Sequence, residues 1–430
     1  MLIDFDFNSL KGKNVCVAVS GGTDSMALLY YLLSVRNKYS FSVCAINVEH
    51  GIRGKSSVSD SSFVKSYCEK LGVPLFSFSV DCPKHAKDNK LSLEESARKL
   101  RYDCFYSLLD QNKCDVIATA HHQGDNVESI LLNIFRGCGV DGLCGIENYS
   151  DKIIRPFLSV SKEEILSYVK DNDIPFVTDE TNLDDDYTRN YLRNSVIPRI
   201  KEVFPEVEKS ILRLSNIAKE TSDYLLAQAK KHLNVQSDDS VSISLPIEKP
   251  VFAKCVILAL NSLDVKKDWK KKHIDIAFEL TKNQTGKKIN LPFGVIVFKE
   301  DENLVFQKET TTQNIVIPFS TNDFEFLGKN YKITSLSVAP KDLKDGFYLD
   351  LDKIPSGAVI RNKLDGDVFK VVNGKTKNLS DFLLEKKVPL RNREKIPLIA
   401  KESVVYAIFG LAVSEQTKID DKTKNIIKIN

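Results

Sequence analysis

At 430 residues, with 42% hydrophobic and 28% charged residues, the chain is too long for one ordinary core and reads as a soluble protein of two or three domains. No apolar run approaches the roughly 20 residues that span a bilayer, and the opening MLIDFDFNSLKGKN is too short of apolar length for a secretory signal, so no membrane partner is expected. A net charge of +3 does not by itself point to nucleic acid, and nine cysteines without a CxxC pair fit packing thiols in a reducing cytoplasm.

The first strand signal is the run Val15-Cys16-Val17-Ala18-Val19. It breaks at Ser20-Gly21-Gly22-Thr23-Asp24-Ser25 and becomes helix-periodic through Ala27, Leu28, Tyr31, Leu32 and Val35. Two glycines permit positive φ and close backbone approach, and Thr23 or Asp24 is expected to cap the new helix. A helix N-terminus favours an anion, so this stretch is expected to cradle phosphate. The lysine of a Walker loop is missing from it. The six residues Ser20 to Ser25 resemble the signature loop of PP-loop ATPases, which split ATP into AMP and pyrophosphate. That names a reaction class, not a substrate.

Strand and helix signals then alternate. Phe41–Val48 is a strand, Phe63, Val64, Tyr67, Cys68 and Leu71 mark a helix ending at Gly72, and Leu75–Val80 is a short strand. Leu93, Ala97, Leu100, Cys104 and Leu108 mark another helix, Asp115–Ala120 a strand, and Val127, Ile130, Leu131 and Ile134 the next helix. Such alternation predicts a parallel doubly wound sheet with ligands at the strands' carboxyl ends. Polar signals recur at that end: His50 and Arg53 after the second strand, Arg98 and Arg101 on the helix from residue 93, and His121, Asp125 and Glu128 after the strand ending at Ala120. Each alone is as readily a capping, packing or solvated group; together they suit a site that clamps an anion with arginine and holds Mg²⁺ with a carboxylate.

A helix is expected over Lys162–Asn172, then a polar run with Asp184-Asp185-Asp186 leads into a helix presenting Arg189 and Arg193 at i, i+4. Residues 203–312 show helical periodicity and a basic run, Lys266-Lys267-Asp268-Trp269-Lys270-Lys271-Lys272-His273, that suits either solvent or an RNA backbone. From residue 313 the chain is strand-rich with turn signals, and carries the basic residues Arg361, Lys363, Lys386, Lys387, Arg391 and Arg393.

Seven segments in order resemble the motifs of tRNA(Ile)-lysidine synthetases: Ser20–Ser25, His50–Gly54, Ala97–Tyr102, His121–Ser129, Arg136–Leu143, Arg155–Leu158 and Thr181–Arg193. One departure stands out, because the family's paired aspartates appear here as Gly124-Asp125. A carboxylate restored at position 124 is expected to be tolerated, since it would sit at a helix N-terminus.

The resemblance implies an α/β N-terminal PP-loop ATPase domain (1–202), a helical linking domain (203–312) and a small α+β tRNA-binding domain (313–430). It implies AMP-forming ligation of L-lysine to C2 of the wobble cytidine in a CAU-anticodon tRNA(Ile), which converts codon reading from AUG to AUA. ATP and Mg²⁺ are the implied cofactors, and the assembly could be a homodimer. On this reading Asp24, His121, Asp125, Glu128 and Arg189 are catalytic, with His121, Asp125 and Glu128, in that order, as candidates to seat or deprotonate the lysine amine. Ser20–Ser25, His50 and Arg53 bind the nucleotide, and Asp24 and Asp125 bind the metal. Arg98, Arg101, Arg193, Arg361, Lys386, Lys387, Arg391 and Arg393 contact tRNA. A PP-loop tRNA thiolase is the rival enzyme, disfavoured by the absence of cysteine pairs, and a non-catalytic nucleotide- or RNA-binding relative is the rival outside catalysis.

Overall fold

The strand β1 (Asn14–Ala18) is central because both its faces are apolar. Val15 and Val17 join one buried cluster with Leu28, Leu29, Leu32, Phe157 and Ile165, while Cys16 joins another with Cys104, Phe105, Leu108 and Ile117. A strand covered on both sides reads as a continuous apolar run rather than an alternating one. The computed structural model describes residues 3–52, 55–177, 188–237, 239–265, 269–309, 314–336 and 346–429, without the side chains of 55–58. Arg53, the acidic run 184–186 and the lysines at 266 and 267 fall outside these residues. The chain divides into two units, Met1–Tyr224 and Leu225–Asn430.

In the first unit β1 is followed by α1 (Thr23–Tyr39), β2 (Ser42–Glu49), α2 (Lys55–Leu71), β3 (Leu75–Ser79), α3 (Cys82–Asn89), α4 (Leu93–Asp110), β4 (Val116–Ala118) and α5 (Gln123–Phe135). Then come α6 (Val140–Leu143), β5 (Tyr149–Ser150), β6 (Ile153–Ile154), α7 (Lys162–Asp171), α8 (Thr188–Tyr191), a π-helical turn (Leu192–Val196), α9 (Ile197–Val203) and α10 (Val207–His232), whose residues from Leu225 belong to the second unit. The strand order is β3-β2-β1-β4-β6-β5, parallel throughout except for the antiparallel edge strand β5. The chain runs outward from β1 through β2 to β3 and then returns to β4 on the other side of β1, which opens a crevice at the carboxyl ends of β1 and β4.

In the second unit the helices of the middle segment, α11 (Lys249–Ser262) and α12 (Lys271–Leu280), share a core with a five-stranded antiparallel sheet. Helical periodicity did not anticipate that sheet, because strands such as Ser240–Ser244 (SVSIS) alternate serine with one apolar residue and read as polar. Among the described residues beyond 313, short strands form a seven-stranded, a three-stranded and a two-stranded sheet, with one α-helix at Leu379–Glu385.

Candidate active site

The loop between β1 and α1 holds its shape through its own serines. The Ser25 hydroxyl donates to the Gly22 carbonyl (2.9 Å) and accepts from the Ser20 amide (3.2 Å). Ser25 is buried, so its side chain braces the loop and its contribution to a ligand is the backbone. Gly21 has φ +91°, where a side chain would be strained, and its carbonyl accepts from Val177 N–H (2.9 Å). The residue capping α1 is Gly22, not Thr23 or Asp24. Asp24 does not fold back on the backbone because its carboxylate is engaged across the crevice, Oδ1 lying 2.5 Å from Lys162 Nζ. The first intrahelical bond runs from Met26 N–H to Gly22 C=O, so the amides of Thr23, Asp24 and Ser25 precede the helical ladder. That leaves them directed to an anion, as a phosphate cradle requires.

Facing the loop is the start of α5, capped by His122. His122 Nδ1 accepts from Gly124 N–H (3.0 Å), which requires a bare Nδ1 and puts the ring proton of the neutral imidazole on Nε2. That Nε2 stands 4.0 Å from Asp24 Oδ2 and 3.7 Å from Asp125 Oδ2. Asp125 Oδ2 also accepts from the His122 amide (2.9 Å). A Cβ at position 124 would lie 2.9 Å from His122 Cε1. The expected tolerance of a carboxylate there is therefore corrected: the imidazole must move first. His121 Nδ1 is 2.9 Å from the Thr119 hydroxyl.

The second wall of the site comes from α8 and the π turn. Arg193 binds Glu128 (Nε–Oε1 2.5 Å, Nη2–Oε2 3.0 Å) and Asp125 (Nη2–Oδ1 2.8 Å). Arg189 donates to the Ser129 hydroxyl (2.7 Å), and its Nε is 3.5 Å from Glu128 Oε2. Single π turns are frequent at functional sites, and here the turn brings both guanidinium groups onto one face of α5. Two sequence expectations change. Glu128, only 2% exposed and doubly held by Arg193, has no access to a lysine amine. Arg193, expected on tRNA, is engaged by these two carboxylates.

Charge in the site follows from this packing. Burial drives His121 down to about 4, against the opposing pull of Asp125, so its imidazole is neutral near pH 7. Burial pushes the Asp125 carboxyl up, but His122, His121 and Arg193 outweigh it and leave the group below the usual carboxylate range. Burial lifts Glu128 above that range, and its fork to Arg193 only partly reverses the rise.

Among the described residues no three His, Cys, Asp or Glu side chains group to hold a metal ion. Mg²⁺ characteristically takes one or two carboxylates and completes its shell with water and substrate phosphate. Asp24 and Asp125, both within 4.0 Å of His122 Nε2 and beside the loop, fit that donor set.

The remaining expectations scatter. His50 Nε2 is 3.4 Å from Arg101, and burial, seconded by that guanidinium, lowers its pKa to about 4. Arg98 lies over the Tyr102 ring, 4.9 Å from its centroid. Arg361 is corrected as a phosphate contact: it is buried, paired bidentately with Asp367 (2.7 and 2.8 Å), and donates to the carbonyls of Asn362 and Glu402. Arg391 is tied to Glu300 and Ser240, and Arg393 to the Val388 carbonyl. Lys386 and Lys387 are exposed. His122 and Lys162 are site residues that sequence reasoning passed over; a lysine in the first turn of α7, against the helix dipole, was the available signal for the second.

Comparison with known proteins gives consistent matches. Residues 3–200 match the PP-loop domain family and residues 358–429 the TilS substrate C-terminal domain family. The chain is 33% identical over 447 residues to a tRNA(Ile)-lysidine synthase of Clostridium acetobutylicum, covering 98% of this chain and 96% of that protein. It is 31% identical to the tRNA(Ile)-lysidine synthases of Clostridioides difficile (98% and 96% covered) and Bacillus subtilis (92% and 89% covered).

Proposed function

The chain belongs to the tRNA(Ile)-lysidine synthase family, and from that premise we propose that it ligates L-lysine to C2 of the wobble cytidine of a CAU-anticodon tRNA(Ile). ATP supplies the driving force. The observation that carries the reading is the meeting of the phosphate cradle with His122, Asp125 and their neighbours in one crevice. In the first step the cytosine C2 oxygen attacks the α-phosphorus, a P–O bond forms, and the bond to the departing pyrophosphate breaks. In the second, the lysine Nε attacks C2, a C–N bond forms, and the C–O bond to AMP breaks.

The amides of Thr23 to Ser25, with Gly21 and Gly22 shaping the approach and Ser20 and Ser25 bracing it, receive the phosphates. Asp24 and Asp125 would hold Mg²⁺, which would supply positive charge to neutralise those phosphates. The lysine ammonium must lose a proton to attack, and nitrogen becomes acidic as the C–N bond forms. Neutral His121, whose Nδ1 lies 2.9 Å from the Thr119 hydroxyl, takes that proton at Nε2 in the tautomer that carries its hydrogen on Nδ1. Arg193 holds Asp125 and Glu128 in place, Arg189 lies beside Glu128, and both guanidinium groups stabilise negative charge nearby. His50 contacts the nucleotide, and the resemblance gives Arg53 the same role; Arg98, Arg101, Lys386 and Lys387 contact tRNA phosphate. Among the described residues no helix is long and apolar enough to cross a membrane, and the cytoplasm, where tRNA is found, is the proposed location.

Single-turnover AMP release tests the whole reading. Release is expected only when CAU-anticodon tRNA(Ile), ATP and lysine are all present, with lysine bonded to cytidine in the product. AMP release independent of lysine would overturn it.

A further inference from the structure

Three helices begin in the crevice: α1 after Gly22, α5 after His122, and α7 after Ser161. They are physically joined there. Gln123 N–H, opening α5, donates to the Val160 carbonyl just before α7 (2.9 Å), and Lys162 and His122 approach Asp24 of α1 from opposite oxygens, Oδ1 and Oδ2. Lys162 is the first residue of α7, where the helix dipole disfavours a cation. Its backbone is fixed by a capping box in which Ser161 and Glu164 exchange hydrogen bonds (3.0 and 3.2 Å). A cation set against its own helix dipole and rooted this firmly breaks a local preference, and such departures concentrate where function demands them. Its side chain is 41% exposed, so the ammonium can reach a ligand in the crevice.

We propose that Lys162 is a phosphate-binding residue of this site, supplying from α7 the cation that the Ser20–Ser25 loop lacks. Without nucleotide it is held by Asp24; with ATP bound, its ammonium moves to the departing phosphates and leaves Asp24 Oδ1 open to a divalent cation. No bond is made or broken on Lys162. The exchange replaces one charge-assisted hydrogen bond by another. The inference rests on the ligase reading for its ligand and deepens it.

The test is equilibrium binding by calorimetry, with inorganic pyrophosphate, α,β-methylene ATP and adenosine as probes. Lys162→Met keeps the stem and removes the charge. It is expected to weaken pyrophosphate and the ATP analogue about 10- to 100-fold, the scale of one charged hydrogen bond, and to leave adenosine and tRNA affinity unchanged. Lys162→Arg should recover most of the loss, and its recovery guards against a folding defect in the methionine variant. Wild-type affinity for pyrophosphate in Lys162→Met would overturn the proposal, as would an equal loss for adenosine. Failure of the unsubstituted chain to bind the ATP analogue would instead overturn the ligase reading.

Discussion

Arg193 and Glu128 form a two-pronged pair, Nε to Oε1 at 2.5 Å and Nη2 to Oε2 at 3.0 Å, with the carboxylate almost wholly out of water. A planar guanidinium matches a carboxylate in this geometry as no ammonium can. The pair therefore sets where Asp125, which shares the same Nη2, points.

Removing one partner strands the other in a poorly solvated place. Glu128→Gln and Arg193→Met are each expected to cost on the order of 2 kcal/mol of stability, discounted for the part-exposed arginine. The double variant should cost clearly less than their sum. Urea denaturation of the four proteins measures this; strictly additive losses would show that the two side chains act independently.

Asp125→Asn retains shape and removes charge, and is expected to lower lysidine formation at saturating ATP and lysine on the order of 10²-fold. Gly124→Asp is expected to lower it too, because its Cβ displaces the His122 ring that caps α5. The histidine's NMR resonances should shift in that variant. An unshifted spectrum with full activity would place the site elsewhere.

Asp24→Ala and Ser20→Ala are expected to abolish pyrophosphate release with tRNA affinity nearly intact, since the cradle handles nucleotide and the basic surface handles RNA. Filter binding checks the second half. An equal loss of tRNA affinity would contradict the division.

Folded-state pKa values near 4 for His50 and His121 lie below the unfolded value of about 6.5. For a depressed histidine the stability is complete above the unfolded pKa and is lost as pH falls from about 6.5 toward 4, by roughly 3 kcal/mol per group at most. His121→Gln should flatten the acid side of a plot of melting temperature against pH. A plot unchanged in shape would mean the imidazole is solvated.

On tRNA, Lys386→Ala with Lys387→Ala should reduce the slope of log affinity against log salt by roughly 0.7–0.9 for each phosphate no longer neutralised. Arg361→Ala should instead lower thermal stability and leave that slope alone, because its guanidinium is occupied by Asp367.

The β1–α1 loop and the order of motifs were readable because each lies within a short stretch whose periodicity switches in place. Strand alternation likewise placed α4 and α5 within a few residues. What could not be read is pairing at a distance. Lys162 and Asp24 stand 138 residues apart, and nothing local to either announces the other. Arg361 and Lys386 look alike as basic residues, although one is neutralised by a carboxylate six positions on and the other is exposed. Arg193 misled for the same reason: an i, i+4 arginine pair suits RNA as well as it suits Glu128.

The bond from Gln123 N–H to the Val160 carbonyl is a yoke between two segments that each carry part of the chemistry. Val160 is in turn fastened to Phe157, a fully buried ring beneath them. Whatever loosens the packing under Val160 is therefore felt by Lys162 and His122 together, although neither side chain touches it.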